Sequence, residues 1–355
     1  MADLDITALD AWMLHEPVSR RGYCVVRLKT KSGLLGYGEC VDASAAEIEI
    51  ARRVVIGRPA TSHEAVRIQL GRVPHAEAGV NIAMLDLVGK FAKAPVYQVL
   101  GGPTRHRVRA LASLDGAADE DLVSSLKARH AAGFRAFAVP LPTVMARNQG
   151  QAFAEAVSRR FDKLRAAAAD ADFVLDGASS LTPGDAGRYA AAIERFHLLW
   201  FDEPCPLLNL SAVRKITDES ATPIGFGRHI ERPGEVQNAL REEAVDILRP
   251  DIARHGISQI RRMAALAETY YVAVAPHHEG GPIGTAAALH LAASLPNFFI
   301  QHIPVPTAEA DRRMRAELTG GSLETVKDGF ATLPTAPGLG ITVHEEALEK
   351  YKERA

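Results

Sequence analysis

Cysteine is scarce in this chain, at three residues in 355: Cys24, Cys40 and Cys205. The number is odd and no two stand as C-x-x-C, so neither a disulfide framework nor a cysteine-built zinc site is expected. Long apolar runs are missing too. No window reaches the roughly 18 uninterrupted apolar residues of a membrane-spanning helix. Met1 leads straight into Ala-Asp-Leu-Asp, without the basic and apolar regions of a secretory signal. The expected location is the cytoplasm. Neither sign of charge dominates: 41 Lys and Arg stand against 43 Asp and Glu, a net charge of −2. Basic runs are absent, so neither nucleic acid nor a membrane is an expected partner. The phosphate-binding patterns G-x-G-x-x-G after a strand and G-x-x-x-x-G-K-[ST] are also missing, which removes support for a nucleotide-binding fold.

What is present falls into two textures. Residues 22–40 read as a hairpin: GYCVVRLKT, a KSG turn, then LLGYGEC. Helical spacing follows over 45–56, 63–70 and 76–92, and Gly101-Gly102-Pro103 punctuates the chain. Beyond this α+β unit, eight short apolar runs alternate with Ala-rich helical stretches. They are RVRALAS (107–113), FRAFAVP (134–140), FVLD (173–176), LLWFD (198–202), PIGFG (223–227), VDILRP (245–250), YVAVAP (271–276) and FFIQH (298–302). Strands separated by helices predict a parallel sheet, and eight such units predict a closed α/β barrel. The last segment is rich in Pro and Gly before a short helix, and is expected to leave the barrel.

Active sites in such barrels lie at the C-terminal ends of the strands. The polar residues closing the third to eighth runs are Asp176, Asp202, Arg228, Asp251, His277 and His302, at intervals of 23 to 26 residues. That interval is one strand–helix unit, so the six are expected around one mouth. The bland reading of any one of them is a capping or loop residue.

Several segments resemble the mandelate racemase/muconate lactonizing branch of the enolase superfamily over nearly the whole chain. They are GLLGYGEC (33–40), AMLDLVGKFAKAPVYQVLGG (83–102), WFDEP (200–204), RPDIARHGI (249–257), APHHEGGPIGTAAALH (275–290) and PGLGI (337–341). The resemblance implies a modified (β/α)7β barrel of TIM type over 106–325. It also implies an N-terminal α+β capping domain over 1–105, completed by a C-terminal segment, 326–355. Three carboxylates at the ends of strands three to five would hold Mg2+. Asp176 and Asp202 match two of these positions, but Arg228 stands at the third. The family's Lys-x-Lys base falls on Ala138 and Pro140. Its Asp–His dyad is kept as Asp251 and His277, and His302 replaces an eighth-strand Glu. Substrate contacts would come from loops near 15–23 and 41–47, which bring His15, Arg20 and Arg21, and from His278. Relatives form dimers or octamers, so a homo-oligomer acting on a small molecule is implied.

Arginine cannot ligate Mg2+, being a permanent cation with donors only. The expectation is therefore that Arg228 takes the metal's place and pairs with Asp176 and Asp202. The alternative is that it turns outward and Mg2+ binds with other ligands, so the cofactor expectation is none or Mg2+. His277, oriented by Asp251, is the expected general base, with His302 available to the leaving group or an oxyanion. Without the lysine pair, one-base elimination is expected over two-base racemisation. Three readings follow: a lyase of dehydratase type on a sugar-acid-like or keto substrate, a catalytically silent binder of a small anion, and an epimerase or racemase.

Overall fold

A computed structural model describes residues 4–41, 43–143 and 150–353. Position 42, in the second expected recognition loop, lies outside the described residues. The chain opens with an antiparallel sheet of β1 (Ile6–His15), β2 (Gly22–Thr30) and β3 (Leu35–Cys40). Helices α1 (Ala45–Val55), α2 (His63–Gln69), α3 (Pro74–Phe91) and the short α4 (Val96–Val99) follow. The expected hairpin is β2–β3, while β1 is an addition. Its register slips between Ile6 and Ala8, which breaks the two-residue alternation that marks a strand in sequence.

Helix α3 is apolar nearly all round and is buried along most of its length, as expected of a helix covered on every side. It lies between the small sheet and the barrel. Gly38 on β3 faces Gly79 on α3, and a β-carbon at position 38 would collide with the Gly79 carbonyl. The GLLGYGEC glycines thus allow a backbone-to-backbone approach. Glu77 on α3 is 6% exposed and its Oε1 has no partner. Burial pushes this carboxyl up to about 8, with Arg67 pulling it down. A raised folded-state value means stability that is complete at low pH and is lost as pH rises through about 8. Glu77→Gln stays neutral throughout. It is expected to be more stable than wild type at about pH 9, by on the order of 5 kcal/mol at most, and to differ little at about pH 4. Thermal unfolding at the two pH values checks this.

Eight parallel strands follow: β4 (Arg107–Ser113), β5 (Ala136–Pro140), β6 (Asp172–Asp176), β7 (Trp200–Asp202), β8 (Ile224–Phe226), β9 (Ile247–Leu248), β10 (Ala273–Val274) and β11 (Gln301–His302). They hydrogen-bond in sequence order, and β11 pairs with β4 to close the ring. Seven helices connect them: α5 (Asp119–Ala131), α6 (Gln151–Ala167), α7 (Pro183–Ile193), α8 (Leu210–Glu219), α9 (Pro233–Arg241), α10 (Ile252–Thr269) and α11 (Pro282–Ser294). This is the (β/α)7β barrel with an α+β cap. Small and large side chains from successive strands and their edges, among them Leu111, Ala138, Val174, Trp200 and Ile300, fill its interior. No helix among the described residues is long and apolar enough to cross a membrane.

Helix α12 (Glu309–Thr319) follows β11. The segment returning to the cap starts later than residue 326. Hairpin β12 (Val326–Lys327) and β13 (Phe330–Thr332) stays on the barrel floor, paired with β4. Helix α13 (Glu345–Tyr351) and the residues after it reach the small sheet, where Glu349 accepts from the Trp12 indole, Glu345 from Tyr37, and Lys352 bridges Leu14. Cap and barrel also lock at Gly256. There α10 breaks at a positive φ of 63°, and Asn81 of α3 bonds Ser258 through both its amide groups. Glycine suits that left-handed turn.

Candidate active site at the barrel mouth

Parallel register sets Pro140, Asp176 and Asp202 side by side at the ends of β5, β6 and β7. Arg228, just beyond β8, extends its guanidinium between the two carboxylates. Its Nη1 and Nη2 donate to Asp176 Oδ2 and Oδ1 at 3.0 and 2.6 Å. Its Nε lies 3.8 Å from Asp202 Oδ2. A second guanidinium, Arg249, donates from Nε to Asp202 Oδ1 at 3.0 Å and rests 4.9 Å above the Trp200 ring. Burial alone would raise the Asp202 carboxyl, but Arg249 and Arg228 outweigh it and hold it below the usual range. Glu203 turns away at a φ of 43° and accepts from the Gly227 and Arg228 amides, fixing the loop that carries Arg228.

All four carboxylate oxygens of Asp176 and Asp202 therefore face guanidinium groups. Mg2+ needs hard oxygen donors in near-octahedral array. The position between these aspartates offers it a cation with donors only, so the residues do not fit the ion.

Opposite this cluster lies the histidine side. Asp251 caps α10, with Oδ1 accepting from the Ala253 and Arg254 amides. Its Oδ2 stands 2.6 Å from His277 Nδ1. The carboxylate fixes the proton on Nδ1, leaving Nε2 as a lone pair. That Nε2 is buried and without a hydrogen-bond partner. Burial would lower the His277 imidazole, but Asp251 and then Glu279 reverse this and raise it. The His302 ring lies nearly parallel, 5.1 Å away between centroids. Its Nε2 is 2.9 Å from Ser113 Oγ and its Nδ1 is buried without a partner. Burial, then the neighbouring His277, keep His302 well below the ordinary range. Glu279 is half exposed and stands 3.7 Å from His277 Nε2.

The expected cap-side contacts divide. Arg21 is partly buried, with Nη1 4.0 Å from Glu16 Oε2, and adds to the charges that hold the Glu279 carboxyl low. Arg20 is exposed, with a φ of 58° and no side-chain hydrogen bond. His15 does not join them: its ring packs over Gly22 and its charged neighbour is Glu353, at 3.8 Å. His278 is corrected outright as a substrate contact. It is sealed from solvent, its Nε2 bonds the Gly281 carbonyl and its Nδ1 accepts from the Gly280 amide. Burial pushes it down to about 4, which keeps it neutral.

Sequence reasoning passed over Arg249, Glu203 and Ser113. Ser113 closes β4, so the strand-end rule reaches it. Arg249 is the basic residue inside the apolar VDILRP run, and an unpartnered charge there is costly enough to demand a carboxylate. Glu203 carries no separate signal beside Asp202.

Residues 6–101 match the model of the mandelate racemase/muconate lactonizing enzyme N-terminal domain, and residues 121–347 match that of the enolase C-terminal domain-like family. The chain is 26% identical to a D-xylonate dehydratase of Haloferax volcanii, over 98% of this chain and 89% of that protein. It is 28% identical to a D-galactarolactone cycloisomerase of Agrobacterium fabrum, over 94% and 92%. A solved mandelate racemase/muconate lactonizing enzyme from Sulfitobacter sp. superposes with a TM-score of 0.88 at 26% identity, covering 99% of this chain and 96% of that one.

Proposed function

Because the chain belongs to the mandelate racemase/muconate lactonizing branch of the enolase superfamily, we propose that it is a hydro-lyase acting on a sugar-acid-like or keto-polyol substrate by a metal-independent route. The carrying observation is the buried lone pair of His277 Nε2, set by Asp251 through Nδ1. Relatives named as sugar-acid dehydratases support the reaction class.

In this reading His277 Nε2 takes the α-proton, and the C–H electrons pass to the carbonyl as an enolate. The enolate collapses to a C=C bond and breaks the C–O bond of the β-hydroxyl. His277 then returns its proton to the departing oxygen, which leaves as water. One base serves both halves, so no opposing lysine is required at Ala138 or Pro140. Arg21 holds the anionic end of the substrate, and His302 hydrogen-bonds the enolate oxygen.

Charge decides the substrate class. Arg228 and Arg249 are balanced by Asp176 and Asp202, so the site has no surplus equivalent to a divalent ion for an enediolate dianion. A singly charged enolate, from an α-proton next to a ketone or a comparably acidic position, suits it better.

One observation favours a second reading, a silent anion binder: Asp176 takes up both ends of the Arg228 fork. A panel of acid sugars and keto-sugars separates the two. His277→Asn is expected to cut turnover on any hit by about 100- to 10,000-fold, the usual share of a general base. If wild type and variant are equally inert across the panel, the lyase reading fails.

A further inference from the structure

Glu279 has no part in the elimination above, yet it completes a constellation with two imidazoles. One ligand atom each from His277, Glu279 and His302 lies within 4.8 Å of the other two. We infer that these three residues bind a divalent transition-metal ion of the Zn2+ class, at a site separate from the Asp176–Asp202 position that Arg228 fills.

Three features of the geometry carry this. First, both imidazoles hold a nitrogen that no other group of the protein engages. His277 Nε2 and His302 Nδ1 are buried and unpartnered, on side chains only 6% and 3% exposed. A buried polar atom without a partner is costly, and a metal ion is one natural partner for a bare imidazole nitrogen. Second, the other nitrogen of each ring is already anchored, to Asp251 Oδ2 at 2.6 Å and to Ser113 Oγ at 2.9 Å. A metal-binding histidine is usually oriented in this way, with its outer N–H held by a carboxylate or hydroxyl. Third, the spacing is close. Two donors on one tetrahedral ion stand about 3.4 Å apart, and His277 Nε2 is 3.7 Å from Glu279 Oε1. The Glu279 side chain is half exposed, so it is free to swing the remaining distance.

Two imidazoles and one carboxylate select Zn2+, Co2+, Ni2+ or Fe2+ over Mg2+, which prefers oxygen donors and retained water. Three protein ligands leave a position open for water or a substrate oxygen. The ion also takes the Nε2 lone pair that the proposed elimination uses. If His277 is the base, the loaded and catalytic forms exclude each other. This last clause rests on the lyase reading; the binding itself does not.

The test uses the full-length protein, stripped with chelator and dialysed. Calorimetric titration with ZnCl2, and the visible absorption of added Co2+, are expected to report one ion per chain, with MgCl2 giving no comparable signal. Glu279→Gln sits on the surface and should fold normally. It and His302→Asn are each expected to weaken Zn2+ binding at least about tenfold, while Asp176→Asn leaves it unchanged. Absence of stoichiometric Zn2+ binding overturns the site, as does binding indifferent to Glu279→Gln and His302→Asn or abolished by Asp176→Asn. Any of these leaves the elimination standing. Turnover that persists at saturating Zn2+ overturns the exclusion and not the site.

Discussion

Asp251→Asn is expected to leave the fold nearly as stable as wild type and to lower kcat by about 10,000-fold, the scale seen when a histidine base is held in the wrong tautomer. The two functions of Asp251 lie on separate oxygens, which makes the variant informative. Oδ1 caps α10 by accepting from Ala253 and Arg254, and asparagine caps a helix as well as aspartate does. Oδ2 accepts from His277 Nδ1. In the variant an amide NH2 faces Nδ1 and donates to it. The imidazole proton moves to Nε2, the atom that must be bare to take a proton from substrate. Asp251→Ala removes the cap as well and should cost about 1 kcal/mol of stability in addition. Steady-state kinetics and thermal unfolding, run together on both variants, check the split. Asp251→Asn with turnover within about tenfold of wild type would remove the dyad from the mechanism.

Arg228→Glu is expected to make stability depend on Mg2+. Wild-type Arg228 neutralises Asp176 through two hydrogen bonds and lies beside buried Asp202. Replacing it by a carboxylate puts three anions at one strand-end cluster, with Arg249 alone to offset them. Loss of one partner from a buried ion pair typically costs about 3–5 kcal/mol, and the added like charge works in the same direction. Three carboxylates are also the oxygen donors that Mg2+ favours. An ion present at about 100 times its dissociation constant restores roughly 2.7 kcal/mol. Melting the variant with EDTA and with MgCl2 should show a large drop and a partial recovery, with wild type unmoved by either. A variant as stable as wild type in EDTA would show that Arg228 contributes little to holding the aspartates.

Much of this was legible in the sequence because a barrel repeats. Each parallel strand needs a crossover helix, so residues at strand ends recur at one interval, and Asp176, Asp202, Arg228, Asp251, His277 and His302 could be placed on one rim without coordinates. The strands themselves are shorter than the apolar runs suggested, down to two residues at β9, β10 and β11, since apolar residues at loop edges are buried as well. Direction was not legible. His277 and His278 are adjacent and chemically identical, yet one bonds Asp251 while the other is locked to the backbone at Gly280 and Gly281. A one-residue step after a strand reverses the facing of a side chain. Arg249 was hidden for the opposite reason. Its charge lies inside a run that reads as apolar, and only its contact with Asp202 shows why it is there.

The helix Glu345–Tyr351 lies against a sheet formed by residues 6–40, with Lys352 bridged to Leu14. On a ribosome the barrel strands emerge as one uninterrupted block. The small sheet emerges ahead of the barrel but waits until after it for the helix that completes its cover. Until that helix arrives, the apolar cluster around Trp12 and Leu14 lacks its share from Ala347 and Leu348, and the nascent cap rests on the barrel through α3. A chain released short of that helix would therefore carry a finished barrel beneath an unfinished, sticky roof.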